Sequence, residues 1–265
     1  MPSDRARFVR ELATEAGALA LQRHHDLGNL EVETKGIQDY VTAADREVEE
    51  LVAGRISDAY PEDGFIGEET GRRDGAAGHG HWVVDPIDGT ANFMRGLPMF
   101  AVSIAYVHGG ADSEVAAIRD VVQGRSYWAE RGGGAFEEDA PLSVSPRDRL
   151  DRSAVCMGFW NKEGGDAAFI RALTRLTTTK ADIRRVGAAT FGLMHTAAGR
   201  FDAFFQSRIN SWDVAAGILL VREAGGWVSD FYGQGGLLRP APFLACAPGL
   251  VEPLSELLLR RPVED

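Results

Sequence analysis

Apolar residues return at helical spacing over residues 3–24, where Phe8, Leu12, Ala16 and Leu19 mark one face and Ser3 or Asp4 stands ready to cap the first turn. Residues 30–34 then alternate like a short strand, and Lys35-Gly36-Ile37-Gln38-Asp39 reads as a turn. A second helix is predicted from Thr42, with Val48, Leu51, Val52, Ile56 and Tyr60 inward and Pro61 closing it. Thr42 and Asp45 have the spacing of a capping box, with Asp in place of Glu. Apolar runs ending at Gly67 and at Asp85 predict buried strands, divided by a glycine-rich loop over residues 71–80. Residues 101–107 and 115–121 read as further strands. Residues 125–136 read as a hairpin bent at Arg131-Gly132-Gly133-Gly134.

Beyond residue 151 strand and helix patterns alternate: strands at 154–158, 183–186 and 201–205, helices at 166–176, 190–198 and 211–224. Gly225-Gly226 ends the last helix. This is an α/β chain. No repeat or flexible linker interrupts it, and the charged stretch 145–152 is the best boundary. We therefore expect halves 1–150 and 151–265, packed as one unit.

Composition narrows the class. Hydrophobic residues make up 45% and charged residues 25% of 265, which excludes disordered, collagenous and coiled-coil chains. The net charge of −11 repels a polyphosphate backbone, so nucleic acid is not expected as a partner. A small anionic substrate remains open, because a local cation reverses the field at one site. Cys156 and Cys246, each in an apolar stretch, suit a reducing compartment as inert buried thiols. No run approaches the ~20 apolar residues of a membrane span, and the N-terminal segment is amphipathic rather than signal-like. The expectation is a soluble cytoplasmic protein.

The chemistry concentrates in Asp85-Pro86-Ile87-Asp88-Gly89-Thr90-Ala91-Asn92-Phe93. A buried strand delivers Asp85, proline stiffens the turn, and Asp88 follows three residues later. Gly89 permits a sharp bend into a helix at Thr90, whose free N–H groups would favour an anion. Alone, this is also an ordinary Asp-Gly turn. Gly67-Glu68-Glu69 puts two acids after another apolar strand, and Ser211-Trp212-Asp213 puts one at a helix start, where dipole stabilisation is the alternative reading. Should Glu68, Asp85, Asp88 and Asp213 converge, repulsion would demand cations, and an all-oxygen donor set selects Mg²⁺. Spacing permits that convergence without showing it.

Together these motifs, with Trp-Asp-x-Ala-Ala-Gly after Ser211, resemble the inositol monophosphatase family of magnesium-dependent, lithium-sensitive phosphomonoesterases, from Lys35 through Gly226. The resemblance implies an αβαβα sandwich of the type shared with fructose-1,6-bisphosphatase. It implies Glu68, Asp85 and the Ile87 carbonyl as ligands of a first Mg²⁺. Asp85, Asp88 and Asp213 would hold a second, with Glu68 near a weaker third. Gly89 and Thr90 would donate N–H groups to the phosphate, and Thr90 and Asp45 would orient or deprotonate the attacking water. Glu69 and Lys35 would support the site, with Asp39 on the same loop. The family commonly forms homodimers, and the same is expected here. Neither cysteine lies in a nucleophile signature and no Gly-x-Ser-x-Gly elbow exists, so activated water is favoured over a covalent intermediate.

Gly187-Ala188-Ala189 matches the family stretch that borders the substrate ring. Seven residues before Asp213 the family often places a glutamate, and Gln206 stands there instead, uncharged and both donor and acceptor. Inositol 1-phosphate is the first expected substrate. Histidinol phosphate, sugar phosphates and nucleotide phosphates are alternatives, and a non-catalytic regulatory or binding protein on this fold is the rival of another class. Asp120-Val121 and Glu138-Asp139 depart from the usual Asp-Pro and Asn-Gly. His79-Gly80-His81 is expected to be a solvated loop, and His24-His25 a helix-end decoration.

Overall fold

The long helix α1 (Asp4–His25) opens the fold, with the Ser3 side chain accepting from the Ala6 N–H at its start. A hairpin of β1 (Val32–Gly36) and β2 (Asp39–Thr42) leads into α2 (Ala43–Ala59). Next come β3 (Gly64–Gly67), β4 (Gly71–Arg73), β5 (His81–Asp88) and the single turn α3 (Thr90–Met94). A meander follows through β6 (Ala101–His108), β7 (Asp112–Asp120), β8 (Arg125–Glu130), β9 (Gly134–Glu137) and β10 (Ala140–Pro141). The remainder comprises β11 (Ala154–Met157), α4 (Ala167–Thr178), β12 (Asp182–Arg184), α5 (Ala189–Ala197), β13 (Ala203–Ile209), α6 (Ser211–Glu223), β14 (Trp227–Val228), β15 (Ala241–Cys246) and α7 (Val251–Leu254). This computed structural model describes residues 2–27, 32–36, 39–109, 112–160 and 167–259, with backbone alone for 32–36 and 39–42.

Two sheets carry the architecture. The larger has the order β10-β9-β8-β7-β6-β5-β3-β4, with β3 and β5 parallel; the smaller has the order β12-β11-β13-β15-β14, with β11 parallel to both neighbours. Strand alternation shares the apolar residues between layers. Trp82 and Val84 face α1 and α2, whereas Val83 faces α5 and α6. In the smaller sheet Cys156 and Phe204 face that same helical pair, whereas Val155, Met157 and Phe205 pack toward α4 and α7. The layers are thus α1/α2, large sheet, α5/α6, small sheet and α4/α7, the αβαβα sandwich expected. Both cysteines are buried, and burial pushes each thiol up to about 12.

The structure corrects several sequence expectations. Residues 30 and 31 of the first expected strand, and 37 and 38 of the expected turn, lie outside those described; Lys35, Gly36 and Asp39, which flank that turn, belong to strands. Thr42 ends β2, so the second helix starts one residue later. Gly71–Arg73 leaves the glycine-rich loop to pair with β3. The expected strands at 183–186 and 201–205 slide to Asp182–Arg184 and Ala203–Ile209. No expectation covered β14 or β15, because Gly and Pro flank their short apolar runs. Instead of decorating a helix end, the His24 ring packs 4.7 Å from Phe100 and 5.2 Å from Phe93, centroid to centroid. His79 is exposed, as the solvated-loop reading expects, but its Nδ1 also lies 2.9 Å from the buried Asp63 carboxylate.

Candidate active site

Parallel strands β3 and β5 end side by side, and their carboxyl ends deliver Glu68 and the Asp85–Asp88 segment to one edge of the sheet. Pro86 has no N–H for the ladder, and the β5–β6 register shifts between Asp85 and Asp88. That bulge turns two carboxylates toward a common point. The Ile87 N–H then donates to Asp85 Oδ1 at 3.1 Å. Gly89 follows at φ 93°, where a Cβ would sit 2.8 Å from the Met99 carbonyl oxygen, so only glycine makes this bend into α3.

Asp213 enters from α6, where its Oδ2 accepts the Asn210 N–H at 3.0 Å in the first helical turn. Carboxylate oxygens of Asp85, Asp88 and Asp213 lie within 4.8 Å of one another. Asp88 is secured by Thr190 at the start of α5, through the backbone N–H at 2.7 Å and the hydroxyl. Burial pushes its carboxyl up, against the pull of the Thr190 and Ala189 donors. Asp85 is 1% exposed and its carboxyl rises well above the usual range, first from burial and then from Glu68, Asp88, Asp213 and Asp45. Five acids share one field.

Helix α2 supplies two of the supports. Asp45 is buried, and Thr90 Oγ1 lies 3.3 Å from its Oδ1 and 3.1 Å from the Ile87 carbonyl oxygen. One helical turn later, Glu49 is fully buried and accepts the N–H groups of Glu69 at 2.9 Å and Thr70 at 2.7 Å. Its carboxylate lies over Gly67, where a Cβ would come within 2.4 Å of Oε1. Glu49 therefore pins the turn that presents Glu68 and the half-buried Glu69.

Across from the acids, Gly187, Ala188, Ala189 and Gln206 join Asp88 and Asp213 around an open cavity of about 150 Å³. Gln206 Nε2 donates to the Arg208 carbonyl at 2.9 Å, and its Oε1 lies against Gly158, where a Cβ would displace the glutamine amide. Asn92 Nδ2 ties the carbonyls of Met99 and Val186 at 2.8 and 2.9 Å, so the segment after the Asp-Gly bend is stitched to the cavity wall. Lys35 and Asp39 lie in β1 and β2, where the backbone alone is described. Glu49, Thr190 and Arg185, which also lines the cavity, escaped the sequence reading. Only Glu49 carried a signal, the i, i+4 spacing from Asp45.

The donor chemistry suits a hard divalent cation. Only oxygen ligands are offered, and carboxylates this crowded and buried need opposing positive charge to ionise together.

Comparison with known proteins agrees with this geometry. The profile of the inositol monophosphatase family matches residues 1–260. A Rhizobium meliloti protein named inositol-1-monophosphatase is 37% identical over 247 residues, covering 93% of this chain and 92% of its own. A Xylella fastidiosa protein named Nus factor SuhB is 39% identical over 223 residues, covering 83% and 80%. The crystal structure of the extragenic suppressor protein suhB from Bartonella henselae superposes with a TM-score of 0.89 at 34% identity, over 97% of this chain and 98% of that one. With Asp85, Asp88 and Asp213 gathered between the end of β5 and the start of α6, the chain belongs to the inositol monophosphatase family.

Proposed function

We propose that this protein is a Mg²⁺-dependent phosphomonoesterase that hydrolyses a small phosphorylated polyol, with inositol monophosphate the first substrate to test. The observation that carries the reading is the convergence of Asp85, Asp88 and Asp213 within 4.8 Å, beside an open cavity. Glu68, Asp85 and the Ile87 carbonyl would hold one ion, and Asp85, Asp88 and Asp213 a second, with Glu68 shared toward a third. Bound there, Mg²⁺ would neutralise phosphate oxygens, lower the pKa of water and offset charge on the leaving alkoxide.

The chain's own groups supply position and proton transfer. Gly89 and Thr90 present backbone N–H groups to the phosphate at the start of α3. Asp45, buried and in contact with the Thr90 hydroxyl, is placed to take a proton through that hydroxyl from the attacking water. Glu69, anchored through its backbone by Glu49, keeps the Glu68 turn in place. Gly187, Ala188, Ala189 and Gln206 border the polyol. Lithium sensitivity and a homodimer follow from the family reading, and gel filtration tests the latter. No helix among the described residues is long and apolar enough to cross a membrane.

Phosphate release from inositol 1-phosphate with Mg²⁺ and with EDTA is the test, with Asp85→Asn as the blank. Mg²⁺-dependent release that vanishes in the variant supports the reading. Folded protein that releases nothing from any phosphomonoester overturns it. The relatives named Nus factor SuhB favour the second reading, a binding role for the same fold. That role would survive Asp85→Asn.

A further inference from the structure

A second cavity lies at the opposite end of the smaller sheet from the acids. Gly158 and Gln206, after β11 and on β13, line the active-site cavity, whereas Ala154 and Asp202, at the other ends of those strands, line an open cavity of about 350 Å³. Four extended residues, about 13 Å of strand, separate the two. Cationic side chains meet in the second cavity: Arg147, Arg152, Lys180 and Arg200.

The acids on the same lining are already matched. Asp151 pairs with Arg149 at 2.8 Å and Asp182 pairs with Arg184, and both arginines come from outside the lining. Asp202 is 3% exposed, accepts the Ala154 N–H at 2.7 Å and pairs with Arg147 at 3.5 Å. Arg200 is engaged by Glu137 and the Tyr127 hydroxyl. Among the described residues Arg152 and Lys180 have no carboxylate partner, so the lining holds two uncompensated positive charges. Lys180 also stands at φ 65°, between α4 and β12, where glycine is the unstrained choice. Strain of that kind gathers at ligand sites.

We propose that this cavity binds a small anion bearing a phosphate dianion, held by the Lys180 ammonium and the Arg152 guanidinium. Two negative charges match two unpaired cations, and a guanidinium fork matches two phosphate oxygens. A monocarboxylate leaves one cation unmatched. The cavity is large enough for a phosphate ester of a small metabolite as well as for the free ion. No residue of the acidic cluster takes part, so the site stands independently of the phosphatase reading.

The test is calorimetric titration in EDTA at fixed ionic strength, with inorganic phosphate, glycerol 3-phosphate and acetate as the probes. Without cations the acids around Asp85 repel an anion, so the active site does not compete. Phosphate should bind with a dissociation constant of about 1 mM, the scale of two charge-assisted contacts, and acetate about tenfold more weakly. In the double variant Arg152→Gln with Lys180→Gln, phosphate binding should weaken at least about tenfold, while Mg²⁺-dependent release from inositol 1-phosphate holds within about twofold. Both side chains are exposed, and circular dichroism checks that the fold is retained. Arg73→Gln, an exposed residue of β4 outside the cavity, should leave phosphate binding unchanged. Tighter binding of glycerol 3-phosphate than of phosphate identifies a phosphorylated metabolite as the ligand, and the reverse order identifies the free ion. Absence of phosphate binding, equal binding of acetate, or phosphate binding that persists in the double variant overturns the inference.

Discussion

Thr190 donates its backbone N–H at 2.7 Å, and its hydroxyl as well, to one oxygen of Asp88, a residue 102 positions earlier in the chain. That pair fastens the bulged end of β5 to the start of α5. It also leaves the other Asp88 oxygen free of Thr190, on the side where Asp85 and Asp213 gather.

Thr190→Val keeps the volume and the backbone donor but removes the hydroxyl from a buried acid. We expect a loss of about 1–2 kcal/mol in stability. A fall in apparent Mg²⁺ affinity should accompany it, because Asp88 regains rotational freedom. Denaturant unfolding and a Mg²⁺ titration by calorimetry check both; unchanged affinity would mean that the packing around Asp88 suffices to orient it.

Asp85→Asn removes the most crowded carboxylate. In EDTA the variant should be more stable than the wild type by about 1–2 kcal/mol, since a buried charge opposed by four acids is relieved. Added Mg²⁺ should raise the melting temperature of the wild type and leave that of the variant nearly unchanged. A wild type indifferent to Mg²⁺ would contradict the assignment of these acids as cation ligands.

Glu49→Gln tests the support beneath Glu68. The glutamine oxygen can accept only one of the Glu69 and Thr70 N–H groups well, and its NH₂ meets the other as a second donor. We expect about tenfold weaker Mg²⁺ binding, equivalent to about 1.4 kcal/mol, read by calorimetry. Asp45 and the secondary structure, read by circular dichroism, should stay intact. Gly67→Ala should act in the same direction, because its Cβ would displace the Glu49 carboxylate.

Away from the site, Asp63 is a buried carboxylate expected to make stability sensitive to acid. Burial alone would raise its carboxyl, but bonds from Arg5 at 2.5 Å, His79 at 2.9 Å and Trp82 Nε1 at 2.9 Å outweigh this and hold it below the usual range. A depressed folded pKa means that the stabilisation is complete above the unfolded value near 3.8 and is lost as pH falls through the folded value. Asp63→Asn should therefore cost about 2–3 kcal/mol at pH 7. Its deficit against the wild type should shrink below about pH 4 in denaturant titrations. A deficit that persists undiminished at pH 2 would refute the charge-pair account.

Helices α1, α2 and α6, strands β5 to β7 and the Asp85–Asn92 segment were legible because each depends on neighbours within a turn or two. A 3.6-residue or two-residue period, a proline without a donor and a glycine at positive φ are local facts. The smaller strands β14 and β15 were not, since two to six apolar residues between glycines and prolines carry no decisive period. Nor could sequence place Asp63, which resembles any surface acid after a helix until Arg5, Trp82 and Tyr106 close around it.

Composition and periodicity determined by themselves an α/β chain, and the acidic motifs in their order carried the resemblance to this family and the oxygen-rich donor set. Tertiary structure alone decided that Asp213 meets Asp85, that Thr190 anchors Asp88, and that the Glu49 carboxylate occupies the space above Gly67. It also turned Arg185 toward the cavity that Gln206 lines. Those contacts join residues separated by 18 to 128 positions, and their partners are selected by which sheet faces and helix ends pack together.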